Sequence, residues 1–460
     1  MSMTLGVFIG ESFAELTLAD TITKEKIDFQ RWYLPRTSLK AFLTKYIAEK
    51  EIKKIDQVFV AHRYLEKLFN LRIGGSVAQL VTVGFENVLN FESPSNSDLP
   101  LWPQKAPSVS SSDLVFSVNE KVDSEGNLQK EIDSTELEHI SAKLKLMEVK
   151  RVCLHFHNSR VNKHNLSIAA KTFEAAGFDV FIPEFVSENN EFQCWRKNLV
   201  EAALTGTFVE IQEELKLTLS PVVEENKIYY LDSDLKWFQQ EKTKRIGSIV
   251  ALENLWMKIF PTILNLKEEF DVFHFGLENF SLIQNKMCNW ETVWGKLPIT
   301  SYRRADFQLQ PTQSLKLSDN NELVIDKKEL TFEPGPVTMG RGVVPCIYDV
   351  LNYSEQLATD LKEKLKRSLQ ALIRSSQSGS TAEQSLGLLK KNILNLLAAH
   401  VEFNRSAKSK QIIVYGYMAE KNEKDLKQHS YFSKLLYVSE TTWPKSFLIT
   451  LWGLQTRNDK

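Results

Sequence analysis

Two glycine turns carry the residues of this chain that could do chemistry. Gly10-Glu11 interrupts an apolar run from Leu5 to Leu18, and Gly276-Leu277-Glu278 interrupts a second one from Phe270 to Ile283. Each reads as strand, tight turn, strand. Such turns cradle phosphate when their residues are small enough for close backbone approach, and Mg²⁺ beside a phosphate wants carboxylate oxygens. The strands leading into these turns carry Phe8 and His274, neither of which is a carboxylate, and the turns carry Glu11, Leu277 and Glu278. Two unit charges about 4 Å apart repel by about 4 kcal/mol at an effective dielectric of about 20, so glutamates work against a phosphate here. If the turns face each other, Glu11, Glu278, His274 and His62 converge. Such a cluster could bind a cation or do acid–base work on a small amide or carboxylate.

Other clusters have simpler explanations. His155 and His157 share one face if both lie in a strand, and His164 follows, but no carboxylate or cysteine stands at a ligand spacing. An ordinary strand and loop is the preferred reading, with no metal. Tyr302-Arg303-Arg304 reads as a surface basic patch, Trp290 and Trp294 as core packing, and Leu361 to Arg367 as an amphipathic helix with a solvated face.

The segments that must position the turns alternate between strand and helix, which indicates a layered α/β protein. Strand-like stretches lie at Ile27 to Leu34, Gln57 to Ala61, Val77 to Val83, Arg151 to Phe156, Val180 to Ile182 and Gln411 to Tyr417. A last apolar strand is expected at Phe447 to Leu454. Helices are expected from Ser38 to Glu49, Glu136 to Leu146, Ser167 to Ala176, Trp195 to Leu217, Ser354 to Ile373 and Glu383 to Phe403. Residues 92–112 are rich in Ser, Pro and Asn and read as an exposed loop. In it Leu99, Leu101 and Trp102 are candidate partner contacts. Residues 375–380 read as a flexible linker.

The 57 basic and 58 acidic residues nearly cancel, so nothing draws the chain to nucleic acid or anionic membrane. Cys153, Cys194, Cys288 and Cys346 have no paired spacing, which fits a reduced cytoplasmic protein. No export signal and no apolar run near the ~20 residues of a membrane span is present.

Ordered motifs along most of the chain resemble the hydantoinase/oxoprolinase family, in particular the nucleotide-binding, A-type subunit of hydantoinases, 5-oxoprolinases and the acetone and acetophenone carboxylases. The matching stretches are Gly6 to Leu16, His62 to Leu65, Gly74, Thr82 to Leu89, Glu120-Lys121, Asn162 to Asn165, Asn190 to Arg196, His274 to Ser281, Pro334 to Gly340 with Tyr348-Asp349, and Tyr415 to Met418.

The resemblance implies a two-lobed actin-like ATPase (ribonuclease H-like) α/β fold with a central cleft, with lobes at residues 1–199 and 200–460. It implies ATP and Mg²⁺ as the family's cofactors and ATP-dependent hydrolysis of cyclic amides as the ancestral activity. This chain departs from the family where nucleotide would be touched. Phe8 and His274 replace the two aspartates. Glu11, Leu277 and Glu278 replace small residues around Gly10 and Gly276, and Tyr417 replaces a glycine after Gly416 in the adenosine-side loop. The expectation is a protein without cofactor or metal and not an enzyme: a scaffold or regulatory subunit. Its expected partner is a hydantoinase B-like subunit or a second copy. The alternative is an enzyme with a cleft rebuilt around Glu11, Glu278, His274 and His62.

Overall fold

A computed structural model of the chain describes residues 2–34, 38–70, 74–90, 110–185, 190–239, 249–292, 295–307, 309–317, 323–329, 336–339, 342–353, 357–374 and 382–457. It is a mixed α/β structure with three principal sheets. The expected hairpins form, and each starts a sheet. Met3–Ile9 lies antiparallel to Phe13–Asp20, which lies antiparallel to Lys26–Tyr33, while Gln57–His62 and then Ile228–Leu231 continue the sheet parallel to Met3–Ile9. Trp237–Phe238 closes that edge. Phe270–Phe275 lies antiparallel to Phe280–Thr292, which lies antiparallel to Gly295–Asp306, while Gln411–Tyr415 and then Leu436–Val438 run parallel to Phe270–Phe275. Apart from Trp237–Phe238, strand order and sense are the same in both sheets. Met3–Ile9 and Phe270–Phe275 are central and buried on both faces, which explains their continuous apolar sequence.

A third sheet is wholly parallel, in the order Asp179–Phe181, Arg151–His155, Val77–Thr82, Val115–Val118. Helices Ser134–Leu146 and His164–Ala175 supply its core through Leu137, Leu144, Leu166 and Phe173. Local chemistry sets the helix starts. Ser38 caps Leu39–Glu49, Asp133 caps Ser134–Leu146 and Asn190 caps Glu191–Leu219, each side-chain oxygen accepting a first-turn N–H. Glu191–Leu219 is a single helix of 29 residues, and it runs unbroken through positions 199 and 200.

The apolar stretch expected as a last strand at Phe447 to Leu454 is a helix instead, Lys445–Thr456. From Lys445 to Leu454 all but Trp452 are buried. A helix buried all round has no polar stripe, so its sequence reads like that of a buried strand. With the helix Ala251–Leu264 it lies in one core shared by the two mixed sheets, which includes Phe8, Phe59, Trp256, Phe260, Val272, Tyr415, Phe447 and Leu448. Backbone approach is close: a Cβ on Gly6 would meet Ser446 O and Thr450 Oγ1 at 2.1 Å each.

No disulfide joins the four cysteines, and Cys153, Cys194 and Cys346 are buried. No helix among the described residues is long and apolar enough to cross a membrane. Leu99, Leu101 and Trp102, with most of their loop, lie outside the described residues, as do Pro35, Trp294, Pro334, Gly335, Gly340 and residues 375–380.

Helix Lys445–Thr456 rests on a bare backbone at Gly6, so Gly6→Ala is expected to destabilise the protein by about 1–3 kcal/mol through overpacking. Chemical denaturation of the variant beside the parent checks this; an unchanged midpoint would contradict the packing.

Candidate functional site

The two glycine turns meet at the junction of the mixed sheets. In the first, Gly10 N donates to Phe13 O at 2.8 Å, and in the second Gly276 N donates to Asn279 O at 3.1 Å. The Glu278 carboxylate crosses between them. Its Oε1 accepts from the backbone N–H of Ser12 and, at 3.1 Å, from that of Phe13. Gly10 makes room for it: a Cβ there would stand 2.7 and 2.9 Å from the two Glu278 carboxylate oxygens. Gly416 packs its backbone on the end of Phe270–Phe275 with φ 127°, and a Cβ would lie 2.6 Å from Phe275 O. Tyr417 starts the short helix Tyr417–Lys421 and stacks under the Arg31 guanidinium, 5.0 Å from the ring centre.

Two buried charge clusters flank the latch. In the first, Arg31 Nη2 lies 2.7 Å from Glu15 and 2.8 Å from Glu440, and Lys445 Nζ contacts Glu440 and lies 3.4 Å from Glu15. Two cations thus answer two carboxylates. The Lys445 ammonium also sits 5.5 Å from the Phe8 ring centre. In the second, Arg63 Nη2 lies 2.5 Å from Glu66 and 3.5 Å from Glu253. Arg304 contacts Glu66, lies 3.3 Å from Glu253 and holds Asp306 at 2.7 Å. The expected surface basic patch is therefore corrected. Arg303 is exposed, whereas Arg304 turns inward into this cluster. Strand alternation separates them, since neighbours in Gly295–Asp306 face opposite sides.

Burial and like charge dominate the acids of the latch. Glu11 is pushed up to about 8 by burial and by Glu66 and Glu278, against the pull of Arg63 and Arg304. Burial also raises the Glu278 carboxyl, opposed by its backbone donors, Arg63 and Lys445. Burial works against Glu15 too, but Lys445 and Arg31 hold its carboxyl below the usual range. His274, 2% exposed beside Trp256, is driven well below its ordinary value by burial and by Lys445, Arg63 and Arg304, so it is neutral. His62 is buried against Phe208 and lowered to about 4 by burial alone. Glu11, Glu278 and His274 come together at the junction; the ring of His62 packs to one side, on the helix Glu191–Leu219.

The cavity between these groups holds about 20 Å³, lined by Phe8, Phe13, Glu15, Arg31, Arg63, His274, Leu277, Glu278 and Lys445. That is room for about one water, against the 300 Å³ or more of an ordinary small-molecule site. Phe8 is 3% exposed and belongs to the shared core. Phe8 presents a phenyl ring and no carboxylate to this space, and the N–H groups of Ser12 and Phe13 already meet Glu278.

A second group of motif residues gathers at the carboxyl edge of the parallel sheet. Glu120 accepts from Thr82 and, at 2.9 Å, from Asn165, and His157 Nδ1 lies 3.0 Å from Glu191. His155 is paired with Asn198 and His164 with Glu131, so the three histidines face three different partners. Among the described residues no group of three or more His, Cys, Asp or Glu could hold a metal ion. The sequence missed Arg63, Glu66, Glu253, Arg304, Glu440 and Lys445 as residues of the junction. Arg63 and Glu66 stand three apart and Glu440 and Lys445 five apart, but these pairs, Glu253 and Arg304 are distant from one another in sequence, and only the fold joins them.

Glu11 gives the site a pH signature. Its pKa is near 4.5 when exposed and about 8 when folded, so between those values the folded chain holds a proton that the unfolded chain has released. Stability from this group therefore falls as pH rises through that window. Glu11→Gln is expected to remove the term. Its melting temperature should gain on the parent's as pH rises from about 5 to about 8. Parallel melting profiles for the two proteins would contradict it.

Neither a family model nor a curated protein sequence matches the chain. Solved structures do. A nucleotide-free acetone carboxylase, from a study of ATP-dependent acetone carboxylation, matches with TM-score 0.71 and 11% identity over 97% of this chain and 69% of that one. The ATP-dependent caprolactamase of Pseudomonas jessenii matches with TM-score 0.73 and 15% identity over 97% of this chain and 70% of that one. The chain thus has the fold of acetone carboxylase and caprolactamase chains, members of the hydantoinase/oxoprolinase family to which its motifs are similar.

Proposed function

We propose that this chain is a non-catalytic relative of the hydantoinase A-type subunits, a scaffold or regulatory subunit on a two-lobed actin-like frame. One observation carries the reading: the Glu278 carboxylate stands on the first-turn N–H groups, and about 20 Å³ remains beside it. The chain's own anion takes the place of a nucleotide's phosphate. The two sheets of like order support the frame, with lobes near residues 1–199 and 200–460 and the strands Ile228–Leu231 and Trp237–Phe238 returning to the first. The reading needs no cofactor or metal. It places the protein in the cytoplasm, with a hydantoinase B-like subunit or a second copy as partner.

The rival reading, a rebuilt site, draws on Glu11, whose pKa of about 8 suits a general acid or base at neutral pH. The cavity beside His274 and Glu278 admits only water-sized reactants, and Glu11 does not line it.

Thermal shift with Mg-ATP tests the proposal. A ligand at about 100 times its dissociation constant adds about 2.7 kcal/mol of stability, so millimolar Mg-ATP should leave the melting temperature unchanged. A clear dose-dependent rise would overturn the non-catalytic reading.

Phe8→Asp, which restores the family's carboxylate, is expected to confer no ATP hydrolysis. It should also cost about 3 kcal/mol or more by removing a core ring. Unchanged stability in denaturant would mean the junction is open and wet.

A further inference from the structure

The helix Ala382–Asn404 packs Leu386, Leu389, Ile393, Leu394, Leu397, Ala398 and Val401 into the core of the five-stranded sheet. Its outer face also carries large apolar side chains, interrupted by exposed Asn392. Leu388 is 63% exposed, Leu396 52% and Phe403 88%, with exposed Ala399 between them. At 100° per residue these four fall within one stripe about 80° wide, running for about 22 Å along the helix. Solvated helix faces carry charge and amide groups; a row of large apolar side chains on one marks a contact surface.

The order of residues along the stripe names the occupant. Leu388 and Phe403 lie almost evenly on either side of Leu396. A second copy of the helix, antiparallel and related by a two-fold axis near residue 396, sets Leu388 against Phe403 of the other copy and Leu396 near its own equivalent. Exposed Lys391 and Glu402 share one flank of the stripe. A two-fold axis lying in the interface across the helices keeps like flanks together and reverses direction, so Lys391 meets the other copy's Glu402, and Glu402 its Lys391. A parallel copy, turned about an axis along the helices, would put this flank on opposite sides of the pair, and neither Lys391 nor Glu402 would meet its equivalent. The charges therefore select the antiparallel arrangement, and the contact is self-complementary, as a closed dimer requires.

We propose that the outer face of Ala382–Asn404 is a homodimer interface, formed by antiparallel pairing with a second copy of this chain. The interface is independent of what fills the junction between the sheets. One helix face per copy makes a small contact, so the dimer is of the weak, concentration-dependent class.

Sedimentation equilibrium of the full chain from about 1 to about 100 µM tests it. The parent should pass from its 52.9 kDa monomer toward twice that mass. Phe403→Glu and Leu396→Glu should each remain monomeric with unchanged helix content, since both side chains point outward. Glu402→Lys should weaken association about two- to fivefold, the range of an exposed ion pair, and Lys391→Glu combined with it should restore the parent affinity. A parent that stays monomeric throughout, with the face free or covered by some other protein, overturns the proposal. So does a dimer that Phe403→Glu and Leu396→Glu leave intact, or a charge swap that fails to restore what the single change lost.

Discussion

The Glu278 carboxylate seated on the N–H groups of Ser12 and Phe13 is the contact on which the junction depends. Backbone donors in a tight turn need an acceptor: Gly10 finds one in Phe13 O within the turn, and Ser12 and Phe13 find theirs in Glu278. A carboxylate is the strongest acceptor the chain can offer. It needs the absence of a Cβ at Gly10 on one side and a tight turn at Gly276 on the other. Leu277, beside it in sequence, extends the closure by apolar contact. It shares a core with Phe13 and Tyr33 of the first sheet and with Phe273, Phe275 and Phe280 of its own. One turn thus provides both the polar and the apolar half of the closure.

The flanking charges follow from that closure. Two sheets pressed together take Glu15, Glu440 and Lys445 out of water, and an isolated buried charge costs several kcal/mol. Each is tolerable because its partners come from other elements: Arg31 from the third strand, Glu440 and Lys445 from the segment leading into the last helix. The second cluster is less balanced. Arg63 and Arg304 face Glu66, Glu253 and Asp306, with Glu11 at the edge. Burial first, and then the neighbouring carboxylates, leave Glu11 holding its proton. Removing one member of either cluster strands its neighbours, so these residues constrain one another more than each adds to stability.

The sequence made the frame legible and left the wiring hidden. The two hairpins are readable because a glycine turn between apolar runs is a local signal, and the capped helices are readable for the same reason. Phe8 was legible as a lost carboxylate, and its place in the core came only from the fold. Lys445–Thr456 was not, since burial on all sides erases the polar face that separates helix from strand. Arg304 was misjudged because Tyr302-Arg303-Arg304 is a basic run in sequence, while in a strand its middle and last members face opposite ways. Glu11 and Glu278 were visible as misplaced charge; that Glu278 serves the opposite turn depends on how distant sheets dock, which no spacing encodes.

Closure at the junction is also overdetermined, and this bears on what the fold can do. The hairpin of Phe280–Thr292 and Gly295–Asp306 reaches from the five-stranded sheet to the region of Glu191–Leu219. There Leu297 and Ile299 share a core with Leu65, Val200, Leu204 and Phe208. Helix Lys445–Thr456 sits against the bare backbone of Gly6 from the other side. Glu278 makes a third tie. Enzymes that exchange a bound ligand rely on elements that part and close again at modest cost. Here parting the sheets would unseat a carboxylate from its backbone donors, wet two charge clusters and split an apolar core at once. Each of these penalties is ordinary, but they fall on the same motion. A junction tied in this way holds the two sheets in one fixed relation.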